Sequence, residues 1–152
     1  VSERYNAADD LTQRNLQPGL ADKPAYLDDQ RTLTFGELNL RSSAFAHTLG
    51  ALGIERGQRI LMCMQDTVDF PVVFLGSIKA GVVPIPVNTL LTQSDYAYML
   101  SDCDARLAVV SASLMQVIQP LRASRANLRH VLIAGGDTVH GESLTRHLER
   151  AY

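Results

Sequence analysis

The sequence is poor in the side chains that most often carry chemistry. It has no tryptophan, two cysteines and four histidines, and of its 14 cationic residues only Lys23 and Lys79 are lysines. Cys63 and Cys103 lie in apolar or helical surroundings without metal-ligand spacing. A disulfide-built scaffold would be small and Cys-dense, so buried reduced thiols in a cytoplasmic protein are expected. No apolar run approaches the roughly 18 residues of a membrane span. Val1-Ser2-Glu3-Arg4 lacks the cationic-then-apolar order of a signal peptide. Neither sign of charge dominates: the formal net charge is −2, which gives no electrostatic reason to expect nucleic acid or an anionic membrane as partner.

What remains is an ordinary globular composition, 46% hydrophobic and 20% charged over 152 residues, enough for one real core. Residues 1–58 read as helix, hairpin and helix. Asn6 is a good N-cap, Asp9 and Asp10 fall in the first turn, and Pro18-Gly19 is the expected end of that helix. Ala25-Tyr26-Leu27 and Thr32-Leu33-Thr34 flank the polar turn Asp28-Asp29-Gln30-Arg31, the pattern of a β-hairpin. Thr34 and Glu37 have capping-box spacing, so the hairpin hands over directly to a helix. That helix places Leu38, Phe45, Leu49 and Leu52 along one face, and Gly53 closes it.

Residues 59–152 change to βα units. Strands are expected over 59–64, 82–87, 107–111 and 130–134, their starts recurring about every 24 residues. The helices between them are expected over 69–79, with Pro71 in the first turn and Gly81 as the stop, and over 92–101. A third carries Leu114, Val117, Ile118 and Leu121, and a last one spans 142–152 with Leu144 and Leu148. The predicted fold class is therefore α/β: an N-terminal hairpin with helices, then a four-stranded, mainly parallel sheet with helices on both faces. Pro84 and Pro86 lie two apart, so both missing N–H groups fall on one side of their strand, which is expected there to be an edge or to border something irregular.

Residue chemistry taken alone assigns no active site. His47, His130, His140 and His147 fall on a helix, a strand, a loop and the last helix, with no partner at a helical ligand spacing, so no metal site is expected. Asp9-Asp10 and Asp28-Asp29 read as a solvated cap and a solvated turn. In Asp102-Cys103-Asp104 the flanking acids raise the thiol pKa, the wrong direction for a nucleophile. Gly135-Gly136-Asp137 follows a strand, but no lysine follows it and several residues precede the next helix, so a plain loop is expected. Ser111-Ala112-Ser113 lacks the glycines of a nucleophile elbow. Lys79 sits where a helix dipole alone favours a cation. No catalytic, cofactor-binding or metal-ligating residue is assigned.

Two segments nevertheless resemble a known family. Leu33-Thr34-Phe35-Gly36-Glu37-Leu38 is similar to the early Leu-Thr-Tyr-x-Glu-Leu motif of the adenylate-forming superfamily, the acyl-CoA synthetases, peptide-synthetase adenylation domains and luciferases. Residues 78–87, Ile-Lys-Ala-Gly-Val-Val-Pro-Ile-Pro-Val, are similar to its second motif. Tyr5-Asn6-Ala7-Ala8-Asp9, Asp69-Phe70-Pro71, Phe74-Leu75-Gly76 and residues 88–96 look like the benzoate-CoA ligases in particular. The resemblance covers essentially the whole chain.

It implies a ligase working in two half-reactions: an aryl carboxylate and ATP give an acyl-adenylate and pyrophosphate, and the CoA thiol then displaces AMP. Mg²⁺ accompanies the nucleotide in this family. The family's phosphate loop, nucleotide motifs, aryl pocket and mobile C-terminal domain have no counterpart here. The chain is thus expected to be a partial N-terminal domain, inactive alone, whose partners are the remainder of the parent chain and, in the parent, the aryl acid, ATP and CoA. Some aryl-CoA ligases carry an arginine on the CoA phosphate shortly after the second motif. The corresponding position here is Leu90, so no CoA contact is transferred. An isolated piece of this kind is expected to expose apolar surface and self-associate.

Two other readings stand beside it. A non-catalytic paralogue would share the scaffold. A stand-alone flavodoxin-like or receiver-like module would need acids or a Ser/Thr-rich phosphate loop at the strand ends. Those ends offer Gln65, Asn88, Ser111 and Gly135, and Gln65-Asp66-Thr67-Val68 makes a poor phosphate loop.

Overall fold

Local capping decides where the first half of the chain turns. The computed structural model describes residues 5–123, 127–136 and 140–151. Helix α1 (Ala7–Gln13) starts at Asn6, whose Oδ1 accepts from the N–H groups of Ala8 and Asp9. It ends before the expected Pro18-Gly19. Asn15 Nδ2 bonds back to the Leu11 carbonyl, and the Leu16 N–H closes a tight turn on Gln13, so the helical ladder is already replaced there. Strands β1 (Pro24–Leu27) and β2 (Thr32–Thr34) form the expected antiparallel hairpin. Thr34 then caps helix α2 (Phe35–Ala51) in a full capping box with Glu37, and Gly53 takes the left-handed conformation at φ +70° beyond its end.

The second half is a parallel sheet of five strands, one more than expected. Strands β3 (Arg59–Cys63), β4 (Val83–Pro86), β5 (Leu107–Ser111) and β6 (His130–Ala134) match the expected four closely. The fifth, β7 (Glu142–Ser143), pairs parallel to β6 with Glu142 opposite Leu132. Glu142 was expected to open the last helix, but it is extended. The helix, α6 (Leu144–Arg150), starts only after Ser143, whose hydroxyl caps the Arg146 N–H. Tyr152 lies outside the described residues. The spatial order is β4-β3-β5-β6-β7, every neighbouring pair parallel, and β4 is an edge as Pro84 and Pro86 predict.

Connecting the strands are α3 (Asp69–Lys79), α4 (Gln93–Asp102) and α5 (Met115–Arg122), the last entered through a 3₁₀ turn at Ala112–Leu114. The strand pleat sends alternate residues to opposite faces. Ile60, Met62, Leu107, Val109 and Leu132 join Phe45, Leu49, Val72 and Leu148, a core shared with α2, α3 and α6. Leu61, Cys63, Ala108, Val110 and Ile133 join Tyr96, Leu100 and Ile118, a core shared with α4 and α5. Because both faces are covered, these strands read as continuous apolar runs rather than alternating ones. Helices α2 and α3 pack tightly at Gly76, where a Cβ would lie 2.5 Å from the Ser42 carbonyl oxygen and 2.9 Å from Phe45 Cβ.

Candidate functional site

In an open parallel sheet the default site is the crevice at the carboxyl ends of the strands where the strand order reverses. Here the chain first runs from β3 outward to β4, then crosses back to β5, so the reversal falls between β3 and β5. This is the strand order of flavodoxin-like folds. The crevice is bridged by the protein itself: the Gln65 N–H, just past β3, donates to Ser111 Oγ at the end of β5 (2.9 Å). The Ser111 hydroxyl is thereby engaged as a tie between strands.

Beside that tie, the hairpin turn folds over the start of α3. Asp28 does more than solvate a turn. Its Oδ1 accepts from the N–H groups of Gln30 (2.9 Å) and Arg31 (2.7 Å), and its Oδ2 from that of Val68 (3.0 Å). These backbone donors, Val68 first, hold its carboxyl below the usual carboxylate range. Arg31 lays Nη2 and Nη1 on Asp69 at 2.8 and 3.3 Å, and Arg41 approaches the same carboxylate at 3.4 Å. Asp69 is buried in the first turn of α3, and the Arg31 guanidinium is held more firmly protonated by it. The sequence marked Asp69 as a helix start and as part of a family-like segment, with no sign of its two arginine partners.

A cleft of about 530 Å³ opens between this turn and the loop after β3, lined by Asp28, Asp29, Arg31, Gln65, Asp66 and Gly135 among others. Three aspartates line it against one guanidinium, which is already committed to Asp69. Such a lining opposes a phosphate group. Gly135 takes a left-handed φ of +80° as a loop residue would, and Asp137 lies outside the described residues.

Lys79 is not merely a cation at a helix end. Its Nζ is buried and donates to Asn39 Oδ1 (2.9 Å), Ser43 Oγ (3.0 Å) and the Asn39 carbonyl (3.3 Å), so it pins α3 to α2. Burial lowers its pKa. A second association unseen in the sequence joins β6, β7 and α6. Glu142 Oε2 lies 2.7 Å from His147 Nε2, and Oε1 lies 3.7 Å from His130 Nδ1, which holds the Glu142 carboxyl below its ordinary range. Spacings of 12 and five residues on three elements hid the cluster.

Among the described residues, no group of three or more His, Cys, Asp or Glu is placed to hold a metal ion. Both cysteines are free and buried, and burial pushes each thiol up. Tyr96, beside Cys63, has its hydroxyl pushed up to about 12 mainly by burial, while donating to the Asn88 carbonyl (2.7 Å). No described helix is long and apolar enough to cross a membrane.

Comparison with known proteins identifies the family of this scaffold. The AMP-binding enzyme family matches residues 13–151. Benzoate–CoA ligase of Thauera aromatica is 49% identical over 137 residues, covering 90% of this chain and 26% of that protein. The 4-hydroxybenzoate–CoA/benzoate–CoA ligase of Rhodopseudomonas palustris is 40% identical over 131 residues, 86% of this chain and 24% of that one. Among solved structures, a benzoate CoA ligase from Burkholderia xenovorans superposes with a TM-score of 0.86 at 36% identity, over 96% of this chain and 28% of that one. The anthranilate CoA ligase AuaEII in complex with anthranoyl-AMP superposes at 0.91 and 27% identity, over 99% and 29%. The chain thus spans about a quarter of the length of the curated relatives it matches. It belongs to the AMP-binding enzyme family, and its sequence is similar to one segment of the benzoate–CoA ligases.

Proposed function

We propose that this chain is the scaffold-forming N-terminal part of a ligase that converts benzoate or a close aryl acid, with ATP and CoA, to the aryl-CoA thioester. The 49% identity to a benzoate–CoA ligase across 90% of the chain carries the reading. In the first half-reaction a carboxylate oxygen attacks the α-phosphorus of ATP and pyrophosphate leaves. In the second, the CoA sulfur attacks the acyl carbon of the adenylate and AMP leaves. The enzyme acts in the cytoplasm on aromatic acids taken up for degradation.

The residues described here orient rather than react. Asp28, Arg31 and Asp69 fasten the hairpin over α3, Lys79 fastens α3 to α2, and the Gln65–Ser111 bond ties β3 to β5. Adenylation needs preorganised cations and donors around the pentacovalent phosphorus. The cleft at the sheet's carboxyl end is instead lined by Asp28, Asp29 and Asp66, and its guanidinium, Arg31, is bonded to Asp69. Exposed Leu27, Leu90 and Tyr98 are suited to contacts with the rest of the parent chain, or with a second copy when the piece is isolated.

Benzoate-dependent ATP–pyrophosphate exchange, run on the full parent and on the 152-residue chain, tests the proposal. Exchange by the parent alone is expected. A parent that exchanges with fatty acids and not with aryl acids would overturn the substrate assignment. Exchange by the short chain would overturn its assignment as scaffold.

A further inference from the structure

We infer that Pro84 and Pro86 close the β4 edge of the sheet to strand addition, so that neither a second copy of this chain nor another strand pairs there. In a parallel ladder, alternate residues point both backbone groups at the neighbouring strand and the rest point both away. The Val83 N–H donates to the Gln58 carbonyl (2.9 Å) and the Val87 N–H to the Met62 carbonyl (3.1 Å), so residues 83, 85 and 87 face β3. The residues facing outward are then 84 and 86, and both are proline, which has no N–H. The flanking Val82 N–H is used inward, on the Ser77 carbonyl (2.9 Å).

Between residues 82 and 87 the outer side of β4 therefore presents carbonyl oxygens and no donor. Two such edges brought together across a twofold axis would set acceptor against acceptor at every ladder position. The side chains alone would not prevent pairing: Val83 is exposed, and none of residues 82–87 is charged. Exposed edges are usually blunted with charge, a bulge or proline. Here the blunting comes entirely from the two missing protons.

The double variant Pro84→Val/Pro86→Val restores both donors with β-favouring side chains. It is compared with the unaltered chain by sedimentation velocity and by the infrared band of intermolecular β-sheet over a concentration series. The unaltered chain is expected to lack that band at every concentration, whatever its oligomeric state, and the variant to gain it together with larger species. Gly76→Ala serves as a control that loosens packing without touching the edge. The single variants Pro84→Val and Pro86→Val, each restoring one donor, stand in if the double variant does not fold. The band in the unaltered chain, its absence from the folded proline variants, or equal growth in Gly76→Ala would each overturn the inference.

Discussion

Asn6 and Lys79 meet across two helix ends. While Asn6 Oδ1 caps the start of α1, its Nδ2 donates to the Ile78 carbonyl (2.9 Å) and the Lys79 carbonyl (3.3 Å) at the end of α3. One side chain thus serves both a helix N-terminus and a helix C-terminus, which have opposite needs, because an amide offers an acceptor and a donor on two separate atoms. Asn6→Ala is expected to cost about 1–2 kcal/mol in urea denaturation. Asn6→Asp keeps the acceptor but loses the donor and sets a negative charge beside the carbonyl end of α3. It is expected to fall between the two, and stability equal to that of the unaltered chain would show that the contact to α3 contributes nothing.

Two glycines in helices are expected to respond with opposite sign. At Gly76 an added Cβ meets backbone and the Phe45 side chain at 2.5–2.9 Å, so Gly76→Ala must push α2 and α3 apart, costing about 1–3 kcal/mol. Gly50, in the last turn of α2, has nothing within 4 Å of that position. Gly50→Ala is expected to stabilise by about 0.5–1 kcal/mol. Thermal melts of the pair check both signs.

Removing the carboxylate charge at position 69 leaves two guanidinium groups facing a buried site. Asp69→Asn is expected to lower stability by about 1–3 kcal/mol, less than for a fully buried pair because Arg31 remains partly in water. A double-mutant cycle with Arg31→Met measures the coupling. Additive effects would show that the pair does not interact.

The Asp28 carboxyl has a folded-state pKa below its unfolded value. Its contribution is therefore fully present above about pH 4 and is lost as pH falls through the lowered folded value. Stability measured from neutral to acid pH is expected to fall less steeply at the acid end in Asp28→Asn than in the unaltered chain. An unchanged slope would remove Asp28 from the acid-sensitive groups.

Both thiols should react only with unfolding. Cys63 and Cys103 are buried with raised pKa, so a chromogenic disulfide reagent is expected to titrate neither in the native chain at neutral pH and both in denaturant. Rapid native labelling of Cys63 would show that its side of the sheet opens readily.

Short-range rules made much of this fold legible in advance. The Thr34–Glu37 capping box, the Asn6 cap, the left-handed Gly53 and the four long strands follow from contacts within a few residues or from simple periodicity. The proline pair also announced an edge, because a missing N–H is a property of the residue itself. The family motifs made the family legible too. Tertiary structure decided the polar pairings. Arg31 and Asp69 are 38 residues apart, Lys79 and Asn39 are 40 apart, and Gln65 and Ser111 are 46 apart. Nothing periodic marks such partners, because their worth depends on desolvation that exists only once helices and strands have packed. Strand β7 belongs with them: a two-residue segment has too little sequence to show a period, and it is extended because β6 lies beside it.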